Sequence, residues 1–367
     1  HMYFTENSFV KGENAIIFHS DRASGEDKAP HENPGYSVFK LDLDTGVITQ
    51  LSEDRNGPHS LTKTPEGELI VYTTLQNDLK LLDVRTGEVS LIYRETGPFE
   101  VGAPSIAPNR RYIGFARNEK IEIDSHYTGV NYHGFKERYY LIKDGRITLA
   151  YLDGSGRTLD VHKDTHQLGH FQFCPDDPTL ASFCHEGPWN LVTQRMWLLD
   201  LAANAVMPLV RQAEQDAIGH EFWTQNGMIF FDNRGPGHDG TITSDRTQAV
   251  LTDVAVNQNQ MVPYVGLVDR NGELLRRLDM PYYCNHYHAN PDNTRLVGDD
   301  VDTLVLIDIS AEQEAETGAP PIEMLAHHGT SWRTQSSHCH PTWDWDGSRI
   351  LYASDADGKV NLYLMEL

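Results

Sequence analysis

Pro65-Glu66-Gly67-Glu68-Leu69-Ile70-Val71-Tyr72 is a polar turn followed at once by a short apolar strand. The same two-part unit recurs along the chain. Lys11-Gly12-Glu13-Asn14 precedes Ala15-Ile16-Ile17-Phe18, and Pro108-Asn109 precedes Tyr112-Ile113-Gly114-Phe115. Pro175-Asp176-Asp177 precedes Leu180-Ala181-Ser182-Phe183, and Gln225-Asn226-Gly227 precedes Met228-Ile229-Phe230-Phe231. Pro291-Asp292-Asn293 leads to Leu296-Val297, and Trp345-Asp346-Gly347 leads to Ile350-Leu351-Tyr352. A glycine or asparagine supplies the left-handed backbone that such turns need, and the apolar run after it is too short for a helix.

A second signal alternates with the first. Tyr36 to Leu43 is an alternating strand that runs into Asp44-Thr45-Gly46, and Leu79 to Val84 runs into Arg85-Thr86-Gly87. Related copies lie at Thr148 to Gly154, Met196 to Ala202, Tyr264 to Gly272, Leu304 to Ser310 and Asn361 to Leu367. The two signals alternate about seven times at spacings of roughly 40–50 residues, the range of a propeller blade. A four-stranded blade cannot bury its faces alone, and a ring of blades buries them mutually. The expected fold is all-β, a single seven-bladed β-propeller over residues 1–367. The chain ends on what reads as the third strand of the last blade, and Tyr3-Phe4-Thr5 reads as the first strand of the first. The last blade is therefore expected to lack its closing outer strand. No long 3.6-residue stripe survives, so no substantial helix is expected, and Ser310 to Gly318 reads as a solvated loop.

The chain has 367 residues and a formal net charge of −23. That charge disfavours nucleic acid, which needs a basic face. No apolar run approaches the ~18 residues of a membrane span. The opening His1-Met2 shows no secretory leader and reads as an expression scar or a cut edge. Cys174, Cys184, Cys284 and Cys339 are too scattered for a disulfide framework. Reduced thiols in a cytoplasmic protein are expected.

The candidate chemistry centres on Gln335-Ser336-Ser337-His338-Cys339-His340-Pro341. On a strand, residues i and i+2 share a face, so His338 and His340 would present two imidazoles to one point. Gln335 could add an amide oxygen, and Cys284-Asn285-His286-Tyr287-His288 could add a third imidazole. Such a set suits a divalent first-row metal with positions left open. Two hydrogen-bonded structural histidines would explain the pair equally well.

Histidines concentrate in the second half of the chain. His170, His220, His286 and His338 lie at comparable points of four repeats, just before the polar turns. His220 could take a proton near neutral pH, or pack as a core histidine on Trp223. Arg195 could clamp a carboxylate, or pair with an acid on the next blade. His185 and Trp189 could line a channel mouth, or close a packed turn. No HExxH, GxSxG, Walker A or GxGxxG context is present, which leaves zincin, α/β-hydrolase, P-loop and Rossmann chemistry without support.

Several of these segments taken together resemble the oligogalacturonate lyases, family 22 of the polysaccharide lyases. They are Phe183 to Pro188, Arg195-Met196-Trp197-Leu198, His220-Glu221-Phe222-Trp223, Cys284 to His286, and Thr330-Ser331-Trp332 followed by Gln335 to Pro341. The resemblance runs from about Tyr3 to the C-terminus and is densest from His170 on. It implies a seven-bladed propeller and a divalent metal, usually manganese, on His286, Gln335, His338 and His340. It implies His220 as catalytic base and Arg195 as a substrate contact; His185 and His170 are further candidates for substrate binding. The implied reaction is β-elimination on a small acidic oligosaccharide from pectin, giving a 4,5-unsaturated or 4-deoxy-5-keto-uronate. The alternatives are a lyase for another uronate oligomer, or a non-catalytic propeller that binds acidic sugars. Cys339 stands where the family pattern has proline, and His288 follows the ligand position His286 by two residues.

Overall fold

The computed structural model describes residues 6–22, 35–124, 126–127, 132–242, 263–310 and 319–367. Tyr3-Phe4-Thr5 and most of Ser310 to Gly318 lie outside them. The described chain is almost entirely sheet. The first sheet holds β1 (Ala15–Ser20), β2 (Ser37–Asp42) and β3 (Ile48–Gln50). The second holds β4 (Asn56–Lys63), β5 (Leu69–Thr74), β6 (Asp78–Asp83) and β7 (Glu88–Arg94). In the third, β8 (Phe99–Ile106) and β9 (Tyr112–Glu119) are followed by a hairpin, β10 (His126–Tyr127) with β11 (Tyr132–His133), and by helix α1 (Phe135–Leu141). The sheet then resumes with β12 (Gly145–Tyr151) and β13 (Thr158–Asp164).

The fourth sheet is β14 (Leu168–Cys174), β15 (Asp177–His185), β16 (Met196–Asp200) and β17 (Ala205–Pro208). The fifth is β18 (Ile218–Trp223), β19 (Ile229–Asn233), β20 (Tyr264–Val268) and β21 (Leu274–Asp279). The sixth is β22 (Tyr287–Ala289), β23 (Arg295–Asp299), β24 (Thr303–Asp308) and β25 (Ile322–His327). The seventh is β26 (Thr342–Trp343), β27 (Arg349–Ser354) and β28 (Asn361–Glu366). Strands that follow one another in the chain lie side by side in each sheet, which is the blade repeat of a seven-bladed β-propeller.

Every turn-plus-apolar signal falls on β1, β5, β9, β15, β19, β23 or β27, and every alternating signal on β2, β6, β12, β16, β20, β24 or β28. The sequence reading missed α1. At seven residues it is too short to show a periodic stripe, yet it carries Glu137 in its first turn and Arg138 in its last, as the helix dipole favours. Arg138 is buried and its Nη2 donates to Glu100 at 2.8 Å.

The chain forms two compact units. The first comprises residues 1–123, 137–186 and 198–206, and the second residues 124–136, 187–197 and 207–367. Within the first, Val10, Ile17 and Val38 of the opening segment and sheet pack with Leu61, Ile70, Tyr72 and Leu82 of the next. Val71 and Leu79 in turn meet Ile113, Phe115 and Ala150. Within the second, Val297 packs on Trp343 and Ile350. Blades are thus buried by their neighbours, as the repeat requires.

The first strands of four sheets share a feature that the sequence hides. Pairing slips between Asn56 and Leu61, between Val101 and Pro104, between Gly169 and Gln172, and between Ile218 and Glu221. Such bulges re-aim side chains. Two of them carry His170 and His220, each the third residue of its strand and each preceded by glycine.

Candidate metal centre

His286, His338 and His340 come together in the second unit. Their ligand atoms lie within 4.8 Å of one another, and all three residues are buried. The ring of His286 lies 4.2 Å from that of His340 and 5.5 Å from that of His338.

The route to this convergence differs from the one expected. His338 and His340 are not on a strand: β26 begins only at Thr342, and Gln335–Ser337 is a 3-10 turn. Thr334 and Ser337 cap that turn reciprocally, each side chain meeting the other's backbone N–H. His340 then adopts φ +42°, a left-handed conformation that costs a non-glycine residue about 1–3 kcal/mol and that gathers at functional sites. The two imidazoles converge through this irregular backbone, where strand alternation was expected to align them. Gln335 sits on the capped turn, three residues before His338.

Asp299 at the end of β23 holds His286. Its carboxylate accepts from the ring Nδ1 at 2.8 Å and also from the backbone N–H of His286. A bonded Nδ1–H leaves the lone pair on Nε2, the tautomer that a metal ligand needs. Trp332, fully buried and itself at φ +57°, packs 5.5 Å from the ring of His338 and anchors its indole N–H on the Val301 carbonyl at 2.8 Å. Cys339 faces an apolar cluster with Ile242 and Trp332, against which Tyr132 of β11 also packs. Burial pushes the Cys339 thiol up, so it is not a ready thiolate. His288 is a packing residue: it stacks on Phe222, its Nδ1 accepts from the backbone N–H of Trp343, and burial lowers its pKa to about 4.

His220 lies beside this cluster. Its ring is 4.8 Å from that of His286 and meets Trp189 edge-on at 5.2 Å. The aromatic partner is therefore Trp189, where a packed histidine was expected to use Trp223. Trp189 is a platform built around missing side chains. A Cβ on Gly219 would lie 1.8 Å from its ring, and one on Gly240 would lie 2.4 Å away. Two guanidinium groups cover it, Arg195 at 5.4 Å and Arg234 at 4.5 Å. Arg195, 1 % exposed, also donates through Nε to the Gly219 carbonyl, so it braces the bulge that presents His220.

Sequence reasoning missed Arg234. It is fully buried, donates to the Thr241 and Asn285 carbonyls at 3.1 and 2.7 Å, and pairs with Asp232 at 3.2 Å. It thereby fixes the residue before His286. Its only sequence signal is an arginine at the mouth of the turn Gly235-Pro236-Gly237.

His170 and His185 belong to the first unit. His170 has φ +48° and lies 3.8 Å from Glu186, which also accepts from the Cys184 thiol at 3.1 Å. His185 is bonded to Asp164 at 3.2 Å, and burial lowers its pKa to about 4. All four cysteines are free thiols and buried.

A seven-bladed propeller carrying a buried three-imidazole centre defines the class. Residues 28–367 match the family description of oligogalacturonate lyase, and the chain belongs to that family of lyases. Among its relatives are an oligogalacturonide lyase of Pectobacterium atrosepticum, 25 % identical with 100 % of this chain and 89 % of the relative covered, and an oligogalacturonate lyase of Dickeya dadantii, 26 % identical with 90 % and 83 % covered. A solved oligogalacturonate lyase in complex with manganese superposes with a TM-score of 0.77 at 23 % identity, covering 100 % of this chain and 89 % of that one. The Vibrio parahaemolyticus oligogalacturonate lyase gives 0.79 at 20 % identity, with 100 % and 90 % covered. These two likenesses establish the propeller fold.

Proposed function

We propose that this chain cleaves short oligogalacturonides by β-elimination, with His220 as the base and a divalent cation, Mn2+, held by His286, His338, His340 and Gln335. The adjacency of the His220 ring to His286 carries the reading, because it sets a proton acceptor beside a metal-competent cluster.

The donor set fits such an ion. Three buried imidazoles whose ligand atoms lie within 4.8 Å of one another suit a first-row divalent metal, Gln335 would add an amide oxygen, and Asp299 already fixes the His286 tautomer. Burial alone pushes the Asp299 carboxyl well above its ordinary range. A carboxylate kept charged there calls for positive charge nearby, which a cation on the imidazoles would provide. Bound there, the metal supplies Lewis-acid stabilisation of the negative charge that develops beside the uronate carboxylate.

The protein's own residues do the rest. His220 accepts the C5 proton, the electrons left behind form the C4–C5 double bond as the C4–O bond breaks, and the departing oxygen takes up a proton from solvent to leave as a hydroxyl. Arg195 contributes its charge to holding the substrate carboxylate, and its bond to Gly219 keeps His220 aimed. Two guanidinium groups lie on Trp189, and with Arg234 paired to Asp232 it is Arg195 that would supply the positive charge an acidic sugar requires within a chain of net charge −23.

Incubation of the Mn2+-loaded protein with digalacturonate tests the reading. The expected products are monomers, one carrying the mass of an eliminated uronate with no water added. Hydrolysis products, or unchanged digalacturonate, would overturn it.

A further inference from the structure

The proposed elimination needs its base and its metal ligand at a fixed separation, yet the two come from different sheets. His220 lies in β18, and His286 just ahead of β22. One side chain touches the supports of both. Arg234 follows the last residue of β19 and is fully buried in the second unit. Its Nη2 donates to the carbonyl of Asn285, the residue before His286, at 2.7 Å. Its guanidinium carbon lies 4.5 Å from the centre of the Trp189 ring, which meets His220 edge-on at 5.2 Å. Its Nη1 donates at 3.1 Å to the carbonyl of Thr241, next to the Gly240 that packs on Trp189. Its Nε meets Asp232 at 3.2 Å.

We propose that Arg234 is a positioning residue for the elimination, the group that keeps His220 and His286 in register. The proposal rests on the lyase reading above. Two further observations support it. The first is that Asp232, the partner of Arg234, reaches the base as well. The pairing of β18 with β19 slips between Ile218 and Glu221, which sets Gly219 and His220 opposite Asp232, and the Asp232 carboxylate accepts from the backbone N–H of His220. The second is energetic. A buried ion pair is a weak source of stability, and here the burial of Asp232 outweighs the attraction of Arg234. Stability alone does not account for the pair, whereas its reach to both reacting supports does.

Only a guanidinium suits this task. All three of its nitrogens have a protein partner, and its flat face covers Trp189 while its edge holds the Asn285 carbonyl. A displacement of the base by about 1 Å costs about 10²-fold in rate, so a clamp of this kind acts on kcat.

The test is Arg234→Lys in the full-length protein. Lysine keeps the charge but has neither the fork nor the flat face. On Mn2+-loaded protein with digalacturonate, kcat should fall about 10²-fold. KM should stay within about threefold of wild type, because Arg234 does not touch the substrate. Calorimetric titration of the stripped variant should show Mn2+ affinity about 10-fold weaker, the low end for groups that hold a metal-bound histidine. A rise in KM with kcat unchanged would make Arg234 a substrate contact and overturn the proposal. A lower melting temperature with unchanged kcat per folded molecule and unchanged Mn2+ affinity would make it merely structural, and would overturn it too. If Arg234→Lys does not fold, the double variant Asp232→Asn, Arg234→Met removes both charges and leaves no lone buried ion. The same losses are expected of it, and wild-type values would overturn the proposal. If wild type leaves digalacturonate unchanged, the lyase reading falls by itself. Mn2+ affinity then decides for Arg234: a 10-fold loss keeps it as the residue that sets His286, and wild-type affinity overturns that as well.

Discussion

Asp299 grips His286 twice, once through the ring Nδ1 and once through the backbone N–H, and is itself fully buried. Two N–H groups of one residue thus arrive at the two oxygens of one carboxylate. The strand β23 thereby sets both the position and the tautomer of the imidazole that faces His338 and His340.

Asp299→Asn should therefore weaken metal binding. An amide offers one oxygen where two N–H donors arrive, and its NH2 would oppose one of them. The expected loss is about 10–100-fold in Mn2+ affinity, the usual cost of removing a carboxylate that hydrogen-bonds a metal-bound histidine. Calorimetric titration of the stripped variant checks this; unchanged affinity would mean that Asp299 only packs.

His220→Ala should nearly abolish elimination. A positioned base contributes about 10²–10⁴-fold, and the variant should keep its bound metal, because His220 lies beside the cluster without being counted among its ligands. A purely structural histidine, edge-on to Trp189, predicts the opposite pattern: a lower melting temperature with normal turnover per folded molecule. Turnover, metal content and melting on one sample separate the two.

Gly219→Ala probes the platform under His220. The added Cβ would overlap the Trp189 ring at 1.8 Å, and both partners are buried. Overpacking of this kind costs about 1–3 kcal/mol. Urea unfolding should show that loss. Because the bulge carrying His220 must shift, kcat should fall with it. A variant as stable and active as wild type would show that Trp189 has room to move.

The blades were legible because their second and third strands announce themselves. Pro65-Glu66-Gly67 before Leu69 sets a turn and a strand from adjacent residues, and Leu79 to Val84 alternates plainly. The first strands were not legible, since a bulge at Gly219-His220 is a property of pairing with β19 and leaves no local signal. The metal-competent histidines could be picked out as residues, and they do converge. The geometry that unites them could not: His338 and His340 meet through a capped turn and a left-handed residue. Partners distant in sequence were beyond reach. Asp299 is recruited across β22 and β23, and Arg234 reaches the Asn285 carbonyl from 51 residues away. Glycines 219 and 240 read as ordinary turn or strand glycines until Trp189 is placed against them.

Asp232 gives a pH signature with a definite sign. It is 2 % exposed, its Oδ2 lies 3.2 Å from Arg234 Nε, and its Oδ1 has no hydrogen-bond partner. Burial outweighs the attraction of Arg234 and raises the carboxyl from 3.8 to about 6. The folded chain therefore binds this proton more tightly than the unfolded chain does. The resulting stability is fully present below pH 3.8, is lost as pH rises toward about 6, and stays lost above. Roughly two pH units of displacement correspond to about 3 kcal/mol as an upper figure. Asp232→Asn is neutral throughout, so it removes this dependence. Melting temperatures of the metal-free wild type and variant, compared from pH 4 to 8, should show wild type losing ground to the variant up to about pH 6 and no further change beyond. Metal-free protein is used because metal binding itself depends on pH and would add its own slope to the comparison. A difference that stays constant, or that favours wild type as pH rises, would mean that the pairing with Arg234 outweighs burial and that Asp232 is a stabilising carboxylate.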